Sequence, residues 1–145
     1  MIRPAGLADI PEIFILRTSV RENYMSILEM LRRMIWRRTI IPALQSGTLG
    51  VWVKEDQGKI AAFSMADKRD GHIFALFTRP GYEKTGHGTA LLRTCEAWLK
   101  QNGLRRAELE TLRNTNAHRF YLKQGWHELG SPPDDEQSVR LEKLL

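Results

Sequence analysis

Pro80-Gly81-Tyr82-Glu83-Lys84-Thr85-Gly86-His87-Gly88-Thr89-Ala90-Leu91-Leu92 is the stretch that decides how this chain is read. It follows an apolar run, His72 to Phe77, and opens an amphipathic helix. A glycine-rich turn there leaves backbone N–H groups unpaired at a helix N-terminus, where they can hold a phosphate or pyrophosphate. The helix dipole adds about half a positive charge at the same point. A phosphorylated ligand is therefore expected.

Two phosphate-binding motifs fail on residue identity. Gly81 and Gly86 have the spacing of a Walker loop, but His87-Gly88 stands where Lys-Ser/Thr is required. A dinucleotide fingerprint needs a glycine three residues after Gly88, and Leu91 is there instead.

Outward from the loop, the pattern gives an element order. Ile2 to Pro4 reads as a strand, and Asp9 as the N-cap of a helix with Ile10, Ile13, Phe14, Arg17 and Val20 on one face. The capping-box pattern Ser26-Ile27-Leu28-Glu29 starts a second helix with Leu28, Leu31 and Ile35. Thr39 caps a short helix ending at Ser46-Gly47.

Thr48 to Lys54, Lys59 to Ala66 and His72 to Thr78 then read as a three-strand meander, with turns at Asp56-Gln57-Gly58 and Arg69-Asp70-Gly71. Ala90, Leu91, Thr94, Cys95, Trp98 and Leu99 mark a helix stripe that stops at Asn102-Gly103. Arg106 to Leu112 is a strand, and Asn116 to Gln124 a helix stopped by Gly125. Trp126 to Leu129 and Ser138 to Leu141 are the last strands, joined by an exposed Pro/Gly/Asp-rich loop. A meander flanked by βα units predicts a mixed α/β sheet with helices on both faces.

The 145 residues suit one domain with one core, residues 1–145. Apolar residues are 42% and charged residues 27%, as in an ordinary globular protein. The run Met1-Ile2-Arg3-Pro4 lacks a secretory apolar segment, and the single cysteine allows no internal disulfide. A cytoplasmic location is the expectation, with no membrane partner. The four histidines show no metal-ligand spacing, so no metal is expected. A net charge of +5 is weak grounds for a nucleic-acid partner, and no recognition motif supports one.

The loop and a second motif together resemble the GCN5-related N-acetyltransferase (GNAT) family. The family's Gln/Arg-x-x-Gly-x-Gly/Ala pattern stands here as Glu83-Lys84-Thr85-Gly86-His87-Gly88. Its Asn-x-x-Ala, Phe-Tyr and Gly-Phe pattern stands as Asn114-Thr115-Asn116-Ala117-His118-Arg119-Phe120-Tyr121-Leu122-Lys123-Gln124-Gly125-Trp126. One position departs: Glu83 replaces Gln or Arg, and a carboxylate beside a pyrophosphate is unfavourable unless it turns away or pairs with Lys84.

The resemblance implies an acyl-coenzyme A N-acyltransferase fold, a mostly antiparallel sheet splayed at the cofactor cleft. It implies direct transfer of an acetyl group from acetyl-coenzyme A to a primary amine of a small molecule or protein. The pyrophosphate would rest on the amides of Lys84, Thr85, Gly86, His87, Gly88 and Thr89. The pantetheine would pair along Leu76, Phe77 and Thr78, with an amide near Phe77 facing the oxyanion. Asn114 would bond the pantetheine or local backbone, and Tyr121 would bind there and protonate the leaving thiolate. A homodimer is compatible with the resemblance.

A lysine-type amine at pH 7 sits about 3.4 units below its pKa, roughly 4.6 kcal/mol of deprotonation cost. Glu22, Asp67 and Glu110 are the candidate bases. A coenzyme A-binding sensor without turnover is the competing reading.

Overall fold

The computed structural model describes residues 1–19, 40–83 and 86–145. The helix expected from Ser26, its arginines Arg32, Arg33, Arg37 and Arg38, the cap Thr39, the candidate base Glu22, and loop residues Lys84 and Thr85 lie outside that range.

Strand β1 (Ile2–Pro4) leads through a 3-10 turn (Leu7–Asp9) into helix α1 (Ile10–Ser19). The expected cap works differently from the sequence reading. Asp9 accepts the Gly6 N–H at 2.8 Å and a forked pair of bonds from Arg3 at 2.8 and 2.9 Å. The carboxylate thus ties the turn to β1 instead of capping α1. Ile10, Ile13 and Leu16 form the buried stripe of α1, one turn apart. A helical stretch at 40–45 follows, with Ile40 buried.

Next come β2 (Leu49–Asp56), β3 (Lys59–Asp67), β4 (His72–Thr78), α2 (His87–Gln101), β5 (Arg106–Leu112), α3 (Asn116–Lys123), β6 (His127–Gly130) and β7 (Ser138–Leu144). The described strands form one sheet in the order β1-β2-β3-β4-β5-β7-β6. Every neighbouring pair is antiparallel except β4 with β5.

Two apolar clusters cover the two faces. One packs α1 against Val51, Val53, Phe63 and Met65. The other packs Leu91, Leu92, Cys95 and Leu99 of α2 and Tyr121 of α3 against Ala107, Leu109, Val139 and Leu141. Helices on both faces of a mixed, mostly antiparallel sheet are what the element order predicted.

Strand β4 carries one extra residue. Met65 faces Ala75 and Ala66 faces Ile73, so Phe74 has no partner of its own on β3. Such a bulge bends and twists the strand that carries it. It also places the consecutive residues Phe74 and Ala75 in the same apolar cluster, where strict alternation would separate them.

Candidate functional site

The site lies where β4 and β5 part. Among the described residues their parallel ladder has one register pair, His72 with Glu108, reinforced by the Glu108 N–H donating to the Gly71 carbonyl at 3.0 Å. Gly71 makes this junction possible. Its φ is 79°, and a Cβ there would stand 2.6 Å from the Arg106 carbonyl oxygen. Beyond the junction the strands diverge, and a cleft of about 1390 Å³ opens between them.

Ladder alternation fixes which backbone groups face the gap. The Arg79 N–H donates to the Ala61 carbonyl at 2.7 Å, and Phe63 pairs with Phe77 in the same phase. The backbone of Phe77 is thus spent on β3, and that of Leu76 and Thr78 turns toward the gap. Across it, the Leu145 N–H donates to Arg105 and the Arg113 N–H to Gln137, which assigns the odd residues of β5 to β7. Glu110 and Leu112 therefore present their backbone to the opening. The backbone groups that face the gap are thus those on either side of Phe77.

The gap runs into the N-terminus of α2. Gly86, at φ 82°, caps this helix in the left-handed region that favours glycine. No side chain among the described residues caps it, and its first turn has no acidic residue. The first N–H groups of the helix are left for an acceptor from outside. His87, Gly88 and Thr89 line the cleft there. Gly88 sits under the Phe120 ring, 3.6 Å from where a Cβ would be, so α3 lies directly beside the turn. The Glu83 carboxylate accepts the Gly81 N–H at 2.8 Å, folding back on its own turn as the sequence required of an acid at that place.

Tyr121 lines the inner wall, buried between the rings of Phe120 and Trp126 at 5.3 and 6.0 Å. Burial pushes its phenol well above the ordinary value. It is a neutral O–H donor throughout the physiological range.

The candidate bases separate. Glu110 lines the cleft and forms no ion pair among the described residues. Asp67 ends β3 opposite His72, at the closed end of the β4–β5 pair, away from the cleft walls. Arg69 grips it at 2.6 to 3.1 Å and holds its carboxyl below the usual range, which makes it a poor proton acceptor.

Asn114 stands at the turn between β5 and α3. It adopts φ 64° and is not a cleft-lining residue; Thr115 and Asn116 are. The Asn114 N–H donates to His118 Nδ1 at 3.0 Å. That bond makes Nδ1 an acceptor and leaves Nε2–H to donate to Glu128 at 2.5 Å. His118 thus staples the β5–α3 turn to β6 and holds the start of the helix that carries Tyr121. The sequence offered one clue, the spacing of four residues between Asn114 and His118. The Glu128 partner is long-range and left no local trace.

Behind the cleft, Glu96 of α2 accepts from Arg93 and Lys143 at 3.0 Å and from the Trp126 indole at 3.3 Å. This clamp joins α2, β7 and the end of α3. Among the described residues no cluster of His, Cys, Asp or Glu could hold a metal ion, and no helix is long and apolar enough to cross a membrane.

The profile of the acetyltransferase (GNAT) family matches residues 17–126. No curated protein sequence matches the chain. Among solved structures, it is similar to the PaiA N-acetyltransferase from Thermoplasma acidophilum in complex with coenzyme A, with TM-score 0.84 and 16% identity over 100% of this chain and 98% of that one. The ribosomal-protein-S18-alanine N-acetyltransferase from Escherichia coli superposes with TM-score 0.74 and 18% identity, covering 99% and 92%. PH1933 from Pyrococcus horikoshii OT3 gives TM-score 0.75 and 21% identity, covering 100% and 99%.

Proposed function

Because the chain belongs to the acetyltransferase (GNAT) family, we propose that it transfers an acetyl group from acetyl-coenzyme A directly to a primary amine of a small molecule or protein. The observation that carries this reading is the continuity of one opening. An uncapped helix end able to take a pyrophosphate leads into a gap between two unpaired strand edges, with a buried phenol on its wall.

These features fit coenzyme A. The N–H groups from Gly86 to Thr89 would hold its diphosphate. The backbone edges of Leu76 and Thr78 suit an amide-bearing arm, which binds a free strand edge as an added strand does. Bound acetyl-coenzyme A supplies an activated acetyl thioester.

The chain's own residues do the rest. Glu110 accepts the amine's proton, directly or through water, as the N–C bond to the acetyl carbon forms and the nitrogen becomes acidic. The N–H groups of Leu76 and Thr78 are the donors nearest the place where negative charge develops on oxygen. Tyr121, kept protonated by burial, donates to the departing sulfur.

A thermal-shift titration with acetyl-coenzyme A, coenzyme A and ATP tests the reading. A ligand that binds only the folded state raises Tm with its concentration. Both coenzyme A species should raise it and ATP should not. No shift at millimolar acetyl-coenzyme A would overturn the proposal. Binding with no turnover across a panel of amines would instead leave a sensor.

A further inference from the structure

The face of β5 and β7 turned away from α2 carries a ladder of charges that ends at the cleft. Ala107 and Leu109 of β5 and Val139 and Leu141 of β7 point into the α2 core. Alternation therefore sends Arg106, Glu108 and Glu110, with Arg140 and Glu142, to the opposite face. Arg106 donates to Glu142 at 3.1 Å and to Glu108 at 3.4 Å. Arg140 donates to Glu108 Oε1 through Nε at 3.2 Å and Nη2 at 3.0 Å. Two arginines and two acids are thus linked in one chain of pairs. Glu110, the third acid and the one that lines the cleft, has no ion pair among the described residues.

The register alone predicts a different pairing. Arg140 stands directly opposite Glu110, and Glu108 is only its diagonal neighbour. The odd residues of β5 carry the hydrogen bonds to β7, so Glu110 and Arg140 face each other at the closer spacing, with Cα atoms about 4.5 Å apart. Opposite charges placed so attract. Arg140 instead leans along the strand to Glu108. The reason lies in the ladder: Glu108 is opposite Glu142, a like-charged pair that repels unless cations sit between. Glu108 is also half-buried where Glu110 is exposed, so it has more to lose without a partner. Across the gap, β4 offers Glu110 no cation from Ile73 to Thr78.

We propose that Glu108 is a positioning residue for the transfer reaction: by holding the Arg140 guanidinium along the strand, it keeps the Glu110 carboxylate free for the amine. The inference rests on the reading of Glu110 as the base. With Glu108 gone, Arg140 swings to the acid it faces. A guanidinium on that carboxylate occupies its oxygens and opposes its taking a proton.

The test is steady-state kinetics of Glu108→Ala, Arg140→Ala and the double variant, using whichever amine of the panel the wild type acetylates fastest. Glu108→Ala should lower kcat/KM for the amine roughly five- to tenfold, as a new ion pair on Glu110 predicts. The Kd for acetyl-coenzyme A should not move, which also shows that the variant is folded. Glu108→Gln, which keeps the side-chain length, should shift in the same direction by less. Arg140→Ala should stay near wild type, and the double variant should return to it. Raised salt should restore part of the Glu108→Ala loss. A crystal structure of Glu108→Ala should show Arg140 bonded to Glu110. Unchanged kinetics in Glu108→Ala, or a double variant as slow as Glu108→Ala, overturns the inference and leaves Glu110 as the base if Glu110→Gln is slow. A Glu110→Gln variant as fast as wild type overturns both, as does a wild type that turns over no amine.

Discussion

Strand β4 has two edges that behave oppositely. Against β3 it pairs from Asp67–His72 through to Ala62–Thr78, around the one bulge. Against β5 it pairs at His72 and then leaves. The residues are the same and the strand is continuous. What differs is where its backbone hydrogen bonds go. On the β3 side they are closed within the sheet, and the side chains there form a packed core. On the β5 side they are open, and that side is the candidate site. A free edge inside a sheet is normally a liability; here it lines the cleft that leads to the N-terminus of α2.

The sharpest way to break this contrast is to damage the closed side. Phe63 is fully buried and its ring lies 5.4 Å from that of Phe77. Phe63→Ala should cost about 3–5 kcal/mol, a large share of the stability of a domain this size. Denaturant unfolding should show that loss, and cofactor binding should fail only in proportion to the unfolded fraction. A variant that keeps its stability would mean the closed side is not a packed core.

On the open side the largest expected effect is chemical. Tyr121→Phe should lower kcat by roughly 10³-fold while the Kd for acetyl-coenzyme A is unchanged. Unaltered turnover would remove the tyrosine from the reaction.

The two carboxylates give a paired test of which end of the strands is active. Glu110→Gln should lower kcat/KM by roughly 100-fold at pH 7 and recover as the pH rises toward the pKa of the acceptor amine. Asp67→Asn should leave kcat/KM near wild type. The reverse outcome would move the site to the closed end.

Gly86→Ala probes the cradle. Nothing lies within 4 Å of a Cβ built there, so the cost is the left-handed backbone alone, about 1–2 kcal/mol. Isothermal titration should show about tenfold weaker acetyl-coenzyme A binding.

The smallest effect belongs to Cys95. Burial pushes its thiol up to about 12, and Ser64, whose buried hydroxyl makes no well-formed hydrogen bond among the described residues, softens that only in part. The folded state therefore holds the proton more tightly than the unfolded chain. The contribution of this thiol to stability should be flat below about pH 8.5 and fall as pH rises from there toward 12. At pH 8 the native protein should resist a maleimide or a disulfide reagent, and react once unfolded. Rapid native labelling would show that the α2 stripe is open.

Much of this was legible in the chain because it is local. The alternating run at Thr48 to Lys54, the apolar run from His72 to Phe77, the glycine turn and the stripe from Ala90 to Leu99 each express a period or a backbone demand within a few residues. The paired motifs at Gly86-His87-Gly88 and Ala117, Phe120 and Tyr121 were legible through their resemblance to the family's patterns. That Glu110 lines the cleft while Asp67 sits at the closed end of the strand pair was not legible, because a carboxylate on a strand looks the same at either end of a sheet. The hold of distant Glu128 on His118, which receives the Asn114 N–H, left no local trace.

The sequence by itself determined the element order, the helix opening at a glycine that tolerates positive φ, and the apolar periods that send α1 to one face and α2 to the other. Those follow from local sterics and from the hydrophobic effect acting on a repeat. Tertiary packing settled the rest: the extra residue Phe74 in β4, the parting of β4 from β5, the turn of the Leu76 and Thr78 backbone toward the gap, and the placing of Glu110 on the cleft wall with Asp67 away from it. Each depends on register between strands far apart in the chain, and a shift of one residue reverses which groups face the opening.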